Sequence, residues 1–270
     1  MTKPSLLAVF AHPDDEAFSI GGTLTRYASE GCDVYLVTAT RGEAGQIADP
    51  ALASAANLPY VREQELRCAC EVYGIHPPLF LDYIDGQLAV VNQGQAVGKL
   101  VRIIRQLRPH VLITYGPDGI YGHYDHIAVH RWASIAFDLA ADPQCFPERS
   151  PTACAPHQIG KLYWSVAPDE LVAMMSHDGK PASVMMDGVP FAMIGYPRER
   201  ITTWVDISRH LDAKLRGLLC HATQFDARNA GEEERRMLEN PQFQREPFIL
   251  ARSMLAPEPG IESDLLAGLR

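Results

Sequence analysis

The 270-residue chain has no CxxC pair, no cluster of lysine and arginine, no apolar run long enough to span a bilayer, and no glycine fingerprint of a nucleotide loop. Each absence removes a class of function. Without CxxC spacing there is no zinc-ribbon or thioredoxin-like motif, and the six scattered cysteines (Cys32, Cys68, Cys70, Cys145, Cys154, Cys220) read as free, buried thiols. Nucleic acid and anionic membranes demand clustered positive charge, whereas this chain carries a formal net charge of -9. Its opening residues, Met1 to Phe10, hold a short apolar stretch that runs directly into charge, so neither a signal peptide nor a membrane span is expected and the cytoplasm is the expected location. Neither GxGxxG nor GxxxxGKS/T follows any expected strand, which argues against a nucleotide-dependent Rossmann enzyme. Internal repeats and low-complexity stretches are missing as well.

What is present is a globular composition, 47% hydrophobic and 21% charged, in a length suited to one sizeable domain. Leu6–Ala11 and Asp33–Ala39 are unbroken apolar runs with a helical stretch, Gly21–Glu30, between them. Strands that do not alternate are buried on both faces, as in a parallel sheet covered by helices. The pattern continues with a helix over 61–73, a strand over 79–81, a helix over 96–107 stopped by Arg108-Pro109, a strand over 111–115, and a helix from Asp125 to Asp138. This predicts an α/β fold, a Rossmann-like three-layer sandwich with a mostly parallel sheet. Residues 142–200, rich in Pro and Met, read as an irregular, partly β insertion that caps a pocket and specifies the substrate. Beyond it come a strand over 201–207, a helix capped by Ser208 and running to His221, and an exposed helix over 231–238.

Ligands of open parallel sheets bind outside the carboxyl ends of the strands. Four polar clusters fall there: His12–Glu16, Thr40–Glu43, Asp82–Asp85 and Tyr115–His126. His12, Asp14 and Asp15 can aim an imidazole and a carboxylate at one ion, and His123 and His126, three apart at a helix start, share a face that supplies a further ligand. Two histidines and a carboxylate leave a coordination position for water, which hydrolytic zinc requires. His126 and His130, four apart, form an alternative face without a supporting motif.

Ala11-His12-Pro13-Asp14-Asp15-Glu16, Thr40-Arg41-Gly42-Glu43-Ala44-Gly45, Tyr121-Gly122-His123-Tyr124-Asp125-His126, and Lys214 with His221-Ala222-Thr223-Gln224 together resemble the LmbE/PIG-L N-deacetylase family over about residues 5–225. The resemblance implies His12, Asp15 and His126 as zinc ligands and Asp14 as general base. It implies His123 as the histidine that supports the oxyanion or protonates the leaving amine, with Asp125 beside it and Tyr121 reaching the transition state. Glu43, Arg62 and Asp85 fall where family members contact the sugar. Tyr124 stands where the family commonly has proline, and Glu16 reads as a supporting or helix-start residue. The expected activity is removal of an N-acetyl group from an N-acetylglucosaminyl compound of the thiol-cofactor-precursor type. Its cofactor is Zn²⁺, with Fe²⁺ or another divalent metal as an option, since a His₂Asp site accepts several. An amidase of thiol S-conjugates, a deacetylase of another amino sugar and a non-catalytic sugar-binding module are the competing expectations. The expected partner is a small amino-sugar substrate, with a homo-oligomer left open.

Overall fold

The computed structural model describes residues 3–147, 154–176, 180–186, 188–225, 240–256 and 260–270. Strand β1 (Ser5–Phe10) is buried at every position and runs into helix α1 (Asp15–Ser19), then α2 (Gly21–Ser29). There follow β2 (Asp33–Thr38), α3 (Leu58–Tyr73), β3 (Leu79–Phe80), α4 (Gln93–Leu107) and β4 (Val111–Tyr115). A short helical turn α5 (Gly119–Gly122) leads into α6 (Tyr124–Leu139) and β5 (Lys161–Ser165). The inserted elements are β6 (Ala167–Pro168), α7 (Asp169–Met174), the hairpin β7 (Ser183–Met186) and β8 (Val189–Ala192), and β9 (Gly195–Tyr196). The chain returns with β10 (Thr203–Asp206), α8 (Leu211–Cys220) and β11 (Arg245–Ser253).

One seven-stranded sheet, ordered β10-β11-β5-β4-β1-β2-β3, carries the fold. The five strands from β3 to β5 are parallel, and β11 and β10 close the far edge antiparallel. α2, α3 and α8 pack together, as do α4 and α6, so two helical layers coat the sheet. Tight approach in the first layer depends on glycine: a Cβ at Gly217 would sit 2.2 Å from the ring of Tyr73. Among the described residues, no helix is long and apolar enough to cross a membrane.

The fold differs from the expectation in three places. Lys161–Ser165, read as part of the insertion, is a strand paired along its whole length with β4; its opening lysine looks exposed in sequence but is buried against Glu262 at 2.7 Å. β11 was not expected at all. Pro247 inside the run argues against a strand, and a register shift between Leu250 and Arg252 breaks the alternation. Ser208 does not cap the late helix, because its own N–H is turned onto Asp206 (2.9 Å) and α8 begins three residues later. The helix expected over 231–238 lies outside the described residues.

The thiol expectation is corrected as well. Cys68 and Cys220, 152 residues apart, form a disulfide between α3 and the end of α8, while Cys32, Cys70 and Cys145 are free. Local spacing carries no signal for a pair brought together only by the packing of two helices.

The start of α2 shows how β11 is tied in. Ile20 precedes the helix and has no side chain that can cap it, yet Gly22 and Thr23 donate their N–H groups to the Glu246 carboxylate at 3.0 and 2.7 Å. Lys214 on α8 neutralises that carboxylate at 2.6 Å. Glu246→Ala therefore removes a helix cap and strands a mostly buried lysine, and should cost about 3–5 kcal/mol in urea unfolding. A loss below about 0.5 kcal/mol, the range of neutral surface substitutions, would refute this role.

Candidate active site

The strand order reverses between β1 and β4, and the polar clusters collect at their carboxyl ends. After β1 the chain turns sharply at Asp14, whose φ of 112° is rare for a residue with a side chain. Two buried groups hold this turn. The Arg62 guanidinium donates to the carbonyls of Pro13 and Gly42 (2.9 Å for the latter) and to Asp14 Oδ2 at 3.1 Å. Glu16 Oε2 accepts the Asp14 N–H at 3.1 Å, and its other oxygen pairs with His221 Nε2 at 2.8 Å. A strained backbone fixed from both sides aims Asp14 and Asp15 separately.

Donor atoms of three residues converge beyond the turn. His12 Nδ1 lies 3.3 Å from His126 Nε2 and 3.4 Å from Asp15 Oδ2, and Asp15 Oδ1 lies 3.2 Å from His126 Nε2. Ligands at about 2.0–2.1 Å from a tetrahedral ion are separated by about 3.3 Å. Outer contacts leave these atoms free for a cation. His12 turns Nε2 to Asp85 (2.9 Å) and Asp125 (3.2 Å), and His126 turns Nδ1 to the Gly119 carbonyl (3.1 Å), so each ring's lone pair faces inward. Asp15 Oδ2 accepts the Tyr115 hydroxyl and the His12 N–H (2.7 Å), leaving Oδ1 for an ion. The donor set fits a divalent metal.

Charge follows the same geometry. Burial opposes ionisation of Asp15, but His126 and His12 outweigh it and hold its carboxyl well below the ordinary range. Burial also opposes charge on His12, yet Asp125, Asp15 and Asp85 raise its pKa well above the usual value. A proton and a cation therefore compete for the cluster, and metal binding weakens as pH falls. Burial, aided by Asp15, pushes the Asp14 carboxyl up to about 6 in spite of Arg62. His123 goes the other way: burial and then His126 and His12 bring it down to about 4. It caps α6 by accepting the Asp125 N–H on Nδ1 (3.1 Å), so the neutral ring carries its proton on Nε2. Tyr121 packs edge-on to His126 (5.4 Å), and burial with Asp15, Asp14 and Asp85 keeps its phenol protonated.

Three expected residues have other surroundings than expected. Arg62, placed among the sugar contacts, is 2% exposed and spends its guanidinium on Asp14 and on the carbonyls of Pro13 and Gly42. Asp85, placed there too, is bound to His12 and to the Ala44 N–H (3.1 Å). Asp125, expected beside His123, is fully buried; it accepts N–H groups from Gly86 (2.7 Å) and Leu88 (3.0 Å) and buttresses His12. Glu43 is half-buried, with one oxygen accepting the Arg41 N–H at 3.0 Å. Lys214 belongs to the Glu246 cap, and His130 donates Nδ1–H to the Tyr115 carbonyl (2.8 Å), outside the cluster. Tyr124 begins α6, where the backbone N–H has no helical partner, which is why proline and tyrosine can alternate there.

Tyr115 and Glu65 were missed by the sequence reading. Tyr115 carries a signal, a tyrosine closing a mostly apolar strand before Gly116-Pro117. Glu65 carries none: it accepts both the N–H and the hydroxyl of Thr223 at 2.7 Å, and so anchors the segment that bears His221.

A Rossmann-like sheet with a His₂Asp cluster at its switch point, and the Asp14 carboxylate outside that cluster, has the make-up of a metal-site hydrolase. Residues 7–137 match the family model described as GlcNAc-PI de-N-acetylase (PIG-L). The 1D-myo-inositol 2-acetamido-2-deoxy-alpha-D-glucopyranoside deacetylase of Streptomyces griseus subsp. griseus is 37% identical, covering 98% of this chain and 88% of its own length. The protein of the same name from Rhodococcus opacus is 34% identical over 100% of this chain and 99% of its own. The fold is shared with the N,N'-diacetylchitobiose deacetylase of Pyrococcus horikoshii, with a TM-score of 0.68, 19% identity, and coverage of 90% and 82%. The chain belongs to the PIG-L family of N-deacetylases and is a hydrolase of an N-acetyl amide bond.

Proposed function

We propose that this enzyme removes the acetyl group from a 2-acetamido-2-deoxyglucoside of inositol, the substrate class named for its full-length relatives, with Zn²⁺ held by His12, Asp15 and His126. The observation that carries the reading is the convergence of three lone pairs, each set by an outer hydrogen bond, next to a carboxylate that is not among them. A divalent cation held there supplies Lewis acidity, bringing the pKa of a water toward about 7 and polarising the amide carbonyl.

The chain's own residues supply the rest. Asp14, raised to about 6 by burial and aimed by Arg62, takes the proton from the attacking water. His123 is neutral, with Nδ1 engaged by the Asp125 N–H, so Nε2–H is the donor for the oxyanion; its low pKa favours this role over protonating the amine. Tyr121, protonated and beside both histidines, is a second donor. Glu43, whose second oxygen has no hydrogen bond among the described residues, is assigned to a sugar hydroxyl. As the tetrahedral species collapses and the C–N bond breaks, Asp14 passes the proton it took from water to the leaving nitrogen, which releases acetate and the free amine.

A panel settles the substrate: N-acetylglucosaminyl inositol, its malate counterpart, N,N'-diacetylchitobiose, free N-acetylglucosamine and thiol S-conjugates, followed by amine release. The inositol glucoside should exceed the others in kcat/KM by at least about tenfold, equivalent to about 1.4 kcal/mol of recognition; a preference for the S-conjugates would move the assignment to an amidase. Exhaustive chelation should abolish turnover, and added Zn²⁺, Co²⁺ or Fe²⁺ should restore it, the order of restored rates reporting the preferred metal.

A further inference from the structure

Ile120 has φ 73° and ψ −47°, a conformation a β-branched residue adopts only when its surroundings impose it. Both its backbone groups are captured. Its N–H is accepted by Asp118 Oδ1 at 2.8 Å, and its carbonyl accepts the N–H of Ile194, from the inserted segment, at 2.7 Å. Asp118 is itself held: its Oδ2 accepts the hydroxyl of Tyr196 on β9, and its carbonyl accepts the Gly122 N–H at 2.9 Å. Tyr196 is 7% exposed and packed in a small separate core with Ile201 and Ile249. The fit leaves no slack, since a Cβ at Gly116 would lie 3.0 Å from Asp118 Oδ2 and 3.1 Å from the Tyr196 hydroxyl.

The strained turn sits between two groups of the site. On one side Gly119 presents the carbonyl that fixes the His126 ring, and on the other Tyr121 packs its ring against His126. We propose that Asp118 and Tyr196 are positioning residues that clamp the Gly119–Gly122 turn onto His126 and Tyr121, so that the inserted segment sets metal affinity and transition-state geometry without touching either. This rests on the assignment of His126 as a metal ligand. It also gives the insertion a role apart from shaping a pocket wall.

Loss of an outer partner of a metal-binding histidine costs about 10–100-fold in affinity or activity. In the full-length protein, titrated with Zn²⁺ against a chromogenic chelator, Asp118→Ala should weaken zinc binding by about that factor. At saturating zinc its kcat should fall by about tenfold or more while KM stays within about threefold, the pattern of a lost transition-state interaction. Asp118→Asn can accept from Ile120 and donate to the Tyr196 oxygen, and should recover most of both. Tyr196→Phe should fall between, and it serves if Asp118→Ala does not fold. Zinc affinity and kcat within about twofold of the parent in a folded Asp118→Ala or Tyr196→Phe, with only a lower Tm, would overturn the proposal. The zinc titration needs no substrate, so a silent substrate panel would count against the proposed reaction and leave the clamp standing.

Discussion

Asp14→Asn should bind zinc with the parent's stoichiometry and turn over about 10²–10⁴ times more slowly, the usual span for removing a general base. The structure makes this substitution unusually clean. Asparagine is among the few residues that accept positive φ, so the 112° turn survives. Its side-chain oxygen can still accept from Arg62, which keeps the carbonyls of Pro13 and Gly42 in any case. None of the converging donor atoms belongs to Asp14, so metal content should not follow activity. In the parent, the rate should fall as pH drops through the pKa of Asp14, because the base works only when ionised. That limb lies at or below about 6, since a cation beside the buried carboxyl pulls it down from the value burial imposes. Loss of zinc in Asp14→Asn equal to the loss in a ligand variant would make Asp14 a ligand and remove the base from the mechanism.

How much of this was legible in the residues depends on the range of the interaction. The unbroken apolar runs of β1, β2 and β4 report burial on both faces, which is a property of each strand alone, and they led directly to the parallel sheet. β5 and β11 were hidden because their cues depend on distant partners. Lys161 is buried only because Glu262 meets it, and Pro247 is tolerated because the ladder with β5 ends at Phe248↔Ser165, one residue short of it. The Cys68–Cys220 link is the extreme case, decided wholly by how α3 lies against α8.

The site divides along the same line. That His12, Asp15 and His126 lie together could be read because a strand end and a helix start impose their directions locally. Roles at the next layer were not, since Arg62, Asp85 and Asp125 each offer groups suited to a sugar hydroxyl as well as to a neighbouring side chain. Burial decides between those uses. Arg62 and Asp125 are shut away from solvent, and Asp85 is bound to His12, so all three hold His12 or the Asp14 turn in place. A sequence motif thus identifies atoms that act on a bond more readily than those that aim them.

The largest effect should come from His126→Ala. His126 is 1% exposed, stacked on Tyr115 (ring centroids 4.2 Å apart) and on His123 (4.5 Å), and its Nε2 faces both His12 and Asp15. Removing it leaves two protein ligands, fewer than the three that catalytic zinc sites use, so zinc should be lost to substoichiometric levels after buffer exchange. Several kcal/mol of Lewis-acid stabilisation go with it, and at 1.36 kcal/mol per decade activity should fall by more than about 10³-fold, at or beyond the loss expected for Asp14→Asn. The cavity destabilises the fold too, which makes metal content and activity at a temperature well below Tm the decisive pair of measurements. The neighbouring carboxylates provide the contrast. His12 has two acidic partners, Asp85 and Asp125, so its orientation survives the loss of either one, whereas His126 Nε2 is itself the atom that faces both His12 and Asp15. Stoichiometric zinc in a folded His126→Ala would transfer the third ligand to His123, whose ring nitrogen also lies within 4.8 Å of the other two histidines, and with it the oxyanion donor would have to be sought in Tyr121.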